Sequence, residues 1–354
     1  MYVGGKIREY RERINLSGKG LAQRLGVSPA MVSYYEKGSR QVPLKTLVKI
    51  SEITKVPIEY FITDKDYVVY SAYRGKGNIS KEEREEVASF QEIVDHLINV
   101  ANLAGFDLTY KGPHDFHGKA ISDQGIGNIK TNLELPAVVD YKSLVEALWL
   151  QWKIVVFELP FVNRNLSAMT VRRDGVFCIF VNKGQSTERN LFSLAHELGH
   201  VLMHLDTDEF IVSRLGSRDP KEKEANDFAS RFTVPVALLR DKLGDGMSAE
   251  TLSAENIRGL AEYFNVSYEC ITYNLVKAKI LQYNSHGVAR IKQTVREYND
   301  EITIDAFPTI YRLLVYVAWN NGDLSISKAS KYLRSDIQTV NDEFRQICLL
   351  LGKE

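Results

Sequence analysis

The sequence predicts a multidomain α+β protein. It has an all-α N-terminal module, a central region where helices pack on a small β-sheet, and a helical C-terminal region. Three observations carry that prediction. Residues 1–62 show helical apolar spacing with cap signals and no strand pattern. Two β-type runs in SAMTVRRDGVFCIFVN meet at Asp174-Gly175, a strong hairpin signal. A long amphipathic helix, LFSLAHELGHVLMH, follows them. The expected boundaries are 1–63 for the first module, 64–79 for a linker, 80–134 for a connecting helix and loop region, 135–275 for the central domain and 276–354 for the helical C-terminal region.

At 354 residues the chain can hold two or three cores, and 44% hydrophobic with 25% charged residues is ordinary for a soluble globular protein. The N-terminus, MYVGGKIREYRERINL, carries charges where a signal peptide needs an apolar run. The most apolar stretch, Val145 to Val162, is broken by Glu146, Gln151, Lys153 and Glu158, so no membrane span or membrane partner is expected. Cys178, Cys270 and Cys348 lie far apart, which removes a disulfide framework and a Cys-pair metal site. A cytoplasmic protein is expected. Its zero net charge hides an asymmetry: residues 1–63 hold eleven Lys/Arg against five acids, an excess of +6. A basic module on an acidic body points to a polyanion partner, duplex DNA.

Within the module, a helix over Gly20 to Leu25 ends at Gly26, which supplies a tight turn. Ser28 then caps a second helix with Pro29 in its first position. Val32 falls where that helix must pack on Leu21 and Leu25, and Leu44, Leu47, Ile50 and Ile53 form a further apolar stripe. Helix, turn and helix at this length form a DNA-binding motif. A helical protein-interaction module is the alternative, and the basic excess argues against it. Further on, Ser80 and Glu83 form a capping box before a helix that Gly105 closes. Residues 106–135 read as loop; His114 and His117 have the spacing of a metal-binding pair, but no further ligand cluster accompanies them, and two solvated histidines are expected.

Placed on a helical wheel, Leu191, Leu194, Leu198, Val201, Leu202 and Leu205 share one face. His196, His200 and His204 lie opposite, towards an expected cleft, with Glu197 flanking them. His196 and His200 are one turn apart, about 6 Å along the axis, so both can reach one ion. Glu197 projects beside them as general base. This H-E-x-x-H pattern supplies two zinc ligands and a proton acceptor. His204, a further turn on, is too distant to close a tetrahedron and is expected at the cleft rim, as a substrate contact or weak oxyanion donor. A third ligand is expected from DPKEKEANDFASRF, where Glu222 borders a buried face of Ala225, Phe228, Ala229 and Phe232. Asn226, one turn later, can orient a ligand histidine. The alternative for Glu222 is a capping partner of Asp219. Glu224 is expected solvated beside Arg231. The expected centre is Zn2+ held by His196, His200 and Glu222, with water in the fourth position.

Two resemblances extend these readings. LA-x-x-LGVS followed by S-x-x-E-K-G, within about residues 4–62, resembles the XRE/Cro helix-turn-helix family. That likeness implies that Pro29, Ala30, Ser33 and Tyr34 face base edges, with Ser28 at the cap and Lys19, Arg24, Lys37 and Arg40 on phosphates. It also implies a structural ion pair between Arg11 and Glu36. Pro29 and Ala30 cannot make bidentate base contacts, so base specificity is expected to be weak or to rest on Ser33, Tyr34 and DNA shape. FVN, ERNLFSLAHELGHVLMH and E-K-E-A-N-D-F-A-S-R-F-T-V-P, within about residues 135–275, resemble the ImmA/IrrE family of metallo-endopeptidases.

This second likeness implies a zincin-like metallopeptidase domain that cleaves a repressor or related regulator in the cytosol. The strand around Val176 to Val181 is the expected edge for an extended substrate. A second copy of the chain is a further candidate partner. The competing function is a transcriptional regulator or antitoxin-like DNA-binding protein whose peptidase fold senses without cleaving. Residues 276–354 match no motif, and docking or sensing is expected of them.

Overall fold

The computed structural model describes residues 3–14, 16–54, 56, 61, 81–162, 166–205, 210–214, 219–244, 252–281 and 307–350, in two compact units divided between Asn78 and Ile79. The expected linker, 64–79, and the Ser80 cap lie outside the described residues.

Among the described residues the N-terminal unit holds α1 (Val3–Arg13), α2 (Gly18–Leu25), α3 (Pro29–Glu36) and α4 (Leu44–Thr54), α1 preceding the helices that were expected. Ser17 caps α2 by accepting from the Gly20 amide, and Gly26 ends it at φ +72°. Ser28 caps α3 by accepting from the Met31 amide. Ile7, Tyr10, Leu21, Leu25, Val32, Leu47 and Ile50 form the buried core. Arg11 grips Glu36 through two hydrogen bonds of 2.6 and 3.1 Å and reaches the Leu16 carbonyl at 2.7 Å. The implied ion pair thus ties α1 to α3.

The larger unit begins with α5 (Lys81–Leu103), closed near Gly105 at φ +64°, and continues with α6 (Asp123–Asn132) and α7 (Tyr141–Trp152). Helix α6 falls inside the segment expected to be loop; Ser122 caps it, and Ile126 and Ile129 are buried. Strands β1 (Val155–Leu159), β2 (Leu166–Arg173), β3 (Val176–Asn182) and β4 (Phe210–Arg214) form one sheet in the order β1-β3-β2-β4. β2 and β3 are the antiparallel hairpin, with Asp174 at φ +50° and Gly175 at φ +74°. β1 runs parallel to β3.

This order corrects one expectation. β3 lies between β1 and β2, so it has no edge to offer a substrate; among the described strands the edges are β1 and β4. The near-continuous apolar run of β3 has the same cause, because both of its faces are covered. Phe177, Ile179 and Val181 join the core containing Leu191, Leu194 and Leu198. On the opposite face, Phe180 stacks on Phe90 of α5 at 4.5 Å.

Helix α8 (Thr187–Met203) follows the sheet, and α9 (Pro220–Thr233) packs on it. Then come α10 (Val236–Leu243), α11 (Ala254–Phe264), α12 (Tyr268–Lys277), α13 (Thr309–Asn320), α14 (Ile326–Leu333) and α15 (Ile337–Leu350). Among the described residues, no helix is long and apolar enough to cross a membrane.

Candidate metal centre and nucleic-acid interface

Helix α8 starts at Ser186, whose hydroxyl accepts from the Arg189 amide, and ends at His204. Its leucine face packs towards the sheet, as the period requires. The histidine face is covered as well: His196, Glu197, His200 and His204 are 6%, 0%, 0% and 4% exposed. Contact with α9, the second helix expected there, covers that side of α8. Gly199 makes the approach possible, since a Cβ there would meet Phe228 Cδ1 at 3.1 Å and the Ala225 Cα at 3.3 Å. Ala225, Phe228, Ala229 and Phe232 form the buried face of α9, each 0% exposed.

This crossing brings three donors from two helices together. His196 Nε2 and His200 Nε2 face each other at 3.0 Å. Glu222 places Oε2 3.3 Å from His196 Nε2 and Oε1 3.2 Å from His200 Nε2. The carboxylate thus turns to the imidazoles, whereas the Asp219 cap accepts from the Lys221 amide at 2.9 Å. Glu222 Oε2 is buried without a protein hydrogen-bond donor, an arrangement that is costly unless a cation completes it. Among the described residues, this is the one group of three or more His, Cys, Asp or Glu side chains able to share an ion. Two imidazoles and one carboxylate are a donor set that fits Zn2+.

The surroundings of each donor are specific. Asn226 Oδ1 lies 3.0 Å from His196 Nδ1. His200 Nδ1 lies 2.8 Å from His204 Nδ1, and His204 Nε2 lies 2.9 Å from Glu224 Oε2. His204 is therefore buried behind His200 rather than at a cleft rim. Glu224, half-exposed, pairs with it rather than standing solvated, while Arg231 takes Asp227 and Asp123. Thr170 of β2 donates to Glu197 Oε2 at 2.5 Å, a contact that sequence reasoning missed.

Burial pushes His200 down to about 4, although Glu222 opposes the shift. Burial also works against the charge on Glu222, but the adjacent His196 and His200 rings hold its carboxyl down at about 2. A neutral imidazole and an ionised carboxylate are the protonation states a metal ligand needs.

His114 and His117 line a different cavity of about 250 Å3 with Tyr110, Arg172 and Phe177. In the N-terminal unit, Pro29, Ala30 and Tyr34 are exposed and Ser33 is half-buried along α3. Ser28 is exposed, but its hydroxyl is engaged in the cap. Lys19, Arg24, Lys37 and Arg40 are all exposed.

Gly199→Ala tests the helix crossing. The added methyl must displace α9 by a few tenths of an ångström, against a gain in helix propensity of about 1 kcal/mol. Metal affinity measured by competition with a chelator should fall about tenfold, with the melting temperature changed by only a few degrees.

The geometry defines a DNA-binding helix-turn-helix unit joined to a larger unit with a buried His-His-Glu cluster. Residues 7–61 match the helix-turn-helix family, and residues 151–276 match the IrrE N-terminal-like domain of the M78 peptidases. A protein of Sinorhizobium medicae called an uncharacterized HTH-type transcriptional regulator is 30% identical over 103 residues, covering 29% of this chain and 68% of that one. A Sinorhizobium fredii protein of the same description is 34% identical over 108 residues, covering 29% and 76%. The phage-like element PBSX protein XkdA of Bacillus subtilis is 35% identical over 75 residues, covering 21% and 37%. The chain belongs to the XRE-type helix-turn-helix regulators that carry an IrrE N-terminal-like peptidase domain.

Proposed function

We propose that this regulator is a zinc metallo-endopeptidase that binds duplex DNA and cleaves a repressor or related regulator protein. The observation that carries the reading is the convergence of His196 and His200 of α8 with Glu222 of α9, their ligand atoms within 4.8 Å of one another, beside Glu197 on α8. Zinc held there would supply Lewis acidity, polarising a scissile carbonyl and bringing the pKa of water to about 7. Glu197 would act as general base, accepting a proton from the attacking water and returning it to the leaving amine. Thr170 fixes one oxygen of Glu197, so the carboxylate has one orientation when the proton arrives. An extended substrate adds to β4, the outer strand beside β2, through backbone hydrogen bonds.

Two chains of contacts orient the ligands. His196 and His200 offer Nε2 to the cluster, so each carries its proton on Nδ1. His196 donates to Asn226. His200 donates to His204, which in turn donates from Nε2 to Glu224. His204→Ala removes the acceptor behind His200 and should weaken zinc binding about ten- to hundredfold. Glu224→Gln keeps an acceptor oxygen there and should weaken it far less. Titration of both variants against a chelator of known affinity checks the order.

Salt dependence tests the DNA face. Replacing Lys19, Arg24 and Arg40 together by Ala should weaken binding to all duplexes alike and lower the slope of log K against log salt by about 3. Mobility shifts between about 50 and 200 mM salt measure it, and an unchanged slope rejects these contacts.

The relatives are named as transcriptional regulators, and the second reading is a regulator whose peptidase domain senses without cutting. Incubating the chain with the product of its adjacent gene, with and without chelator, separates the two.

A further inference from the structure

We propose that α14 and α15 form a second helix-turn-helix, and that α15 reads base edges of duplex DNA. Shifted by 308 positions, the turn between α2 and α3 reappears between α14 and α15. Both first helices have eight residues, Gly18–Leu25 and Ile326–Leu333. Both start at a serine, Ser17 or Ser325, whose hydroxyl accepts from the amide three residues on. Both end in a left-handed residue, Gly26 at φ +72° and Arg334 at φ +52°.

The turn hydrogen bonds repeat as well. Gly26 and Val27 donate to Gln23 and Ala22; Arg334 and Ser335 donate to the matching Lys331 and Ser330. Ser28 caps α3 through the Met31 amide at 3.2 Å, and Asp336 caps α15 through the Thr339 amide at 2.9 Å. The three core positions that lock such a pair of helices are Leu21, Leu25 and Val32 in one copy, and Ala329, Leu333 and Val340 in the other, all buried. A preceding helix supports each copy, and an arginine on it holds a glutamate of the second helix: Arg11 with Glu36, Arg312 with Glu343 at 2.6 Å.

The chemistry of α15 selects the ligand. In such a pair the first turns of the second helix enter the major groove. There α3 offers Pro29 and Ala30, whereas α15 offers Ile337 and Gln338 at the matching positions, with Asn341 one turn on. Ile337 is 45% exposed, Gln338 is exposed and Asn341 is half-buried. Gln and Asn amides make bidentate contacts to adenine, and aliphatic groups contact the thymine methyl, so α15 reads an A·T-containing site. Lys328 and Arg345 are exposed beside it for phosphates, while Lys331, also exposed, pairs with Glu92 at 3.2 Å. Residues 326–345 hold four basic and three acidic side chains, so this module contributes sequence discrimination more than salt-dependent attraction. The first module has the opposite balance.

The test uses the full chain carrying Lys19→Ala, Arg24→Ala and Arg40→Ala, with and without Gln338→Ala and Asn341→Ala, and selects sites from random duplexes. The expected result is an enriched A·T-containing site. The added pair should bind that site at least about tenfold more weakly, with affinity for unrelated duplex kept within about twofold. Ultraviolet crosslinks from bromodeoxyuridine in that site should fall on residues 337–345. Lys328→Ala, outside α15, is a second variant and should weaken all duplexes alike, and thermal melts confirm that each variant is folded. Equal affinities for the selected site, or crosslinks confined to residues 1–61, overturn the proposal and leave α15 as a protein-docking surface.

Discussion

Glu197→Gln should lose cleavage by roughly a hundred- to ten-thousand-fold, the range that general acid–base catalysis contributes, while still binding about one zinc per chain. The side chain is 0% exposed and takes the Thr170 hydroxyl on one oxygen. Glutamine fills the same space and keeps an acceptor for Thr170, so packing survives. What disappears is the ability to accept a proton, since an amide at neutral pH is not a base. DNA binding should be unchanged, since Glu197 lies in neither pair of helices assigned to DNA. Kinetics of substrate loss beside elemental analysis of the purified variant check both halves of this expectation.

Glu222→Gln should empty the site. The centre otherwise consists of two neutral imidazoles, and Glu222 supplies its one negative charge. An amide brings no charge and offers one weak oxygen donor. The loss should exceed the ten- to hundredfold expected of an orienting residue such as His204. Elemental analysis after dialysis reads the result: about one zinc per chain in the unaltered protein and close to none in the variant. If Glu224→Gln empties the site while Glu222→Gln keeps its metal, the ligand assignment is wrong.

What the sequence disclosed depended on distance along the chain. His196, Glu197 and His200 lie within two helical turns, so periodicity alone puts them together. Ser28 with Pro29, and Asp174 with Gly175, are local signals, and both elements form where they were read. Across larger separations the approach of Glu222 and Asn226 to the histidines was legible, but other contacts were not. Thr170 and Glu197 are 27 positions apart, and His204 and Glu224 are 20 apart; only the packing of α8 on β2 and on α9 joins them. The strand order was hidden for a similar reason: β4 is five residues long and comes after α8, yet it covers the outer edge of β2. The repeat at α14 and α15 escaped because its turn lacks the usual glycine; Arg334 takes the left-handed conformation instead.

Mass spectrometry of the adjacent gene's product after incubation with the full chain tests endopeptidase function most directly. The proposed function predicts one internal cut by the zinc-loaded protein, abolished by chelator and by Glu197→Gln although that variant keeps its zinc. An intact product with zinc-loaded protein, or equal cutting by Glu197→Gln, would contradict it.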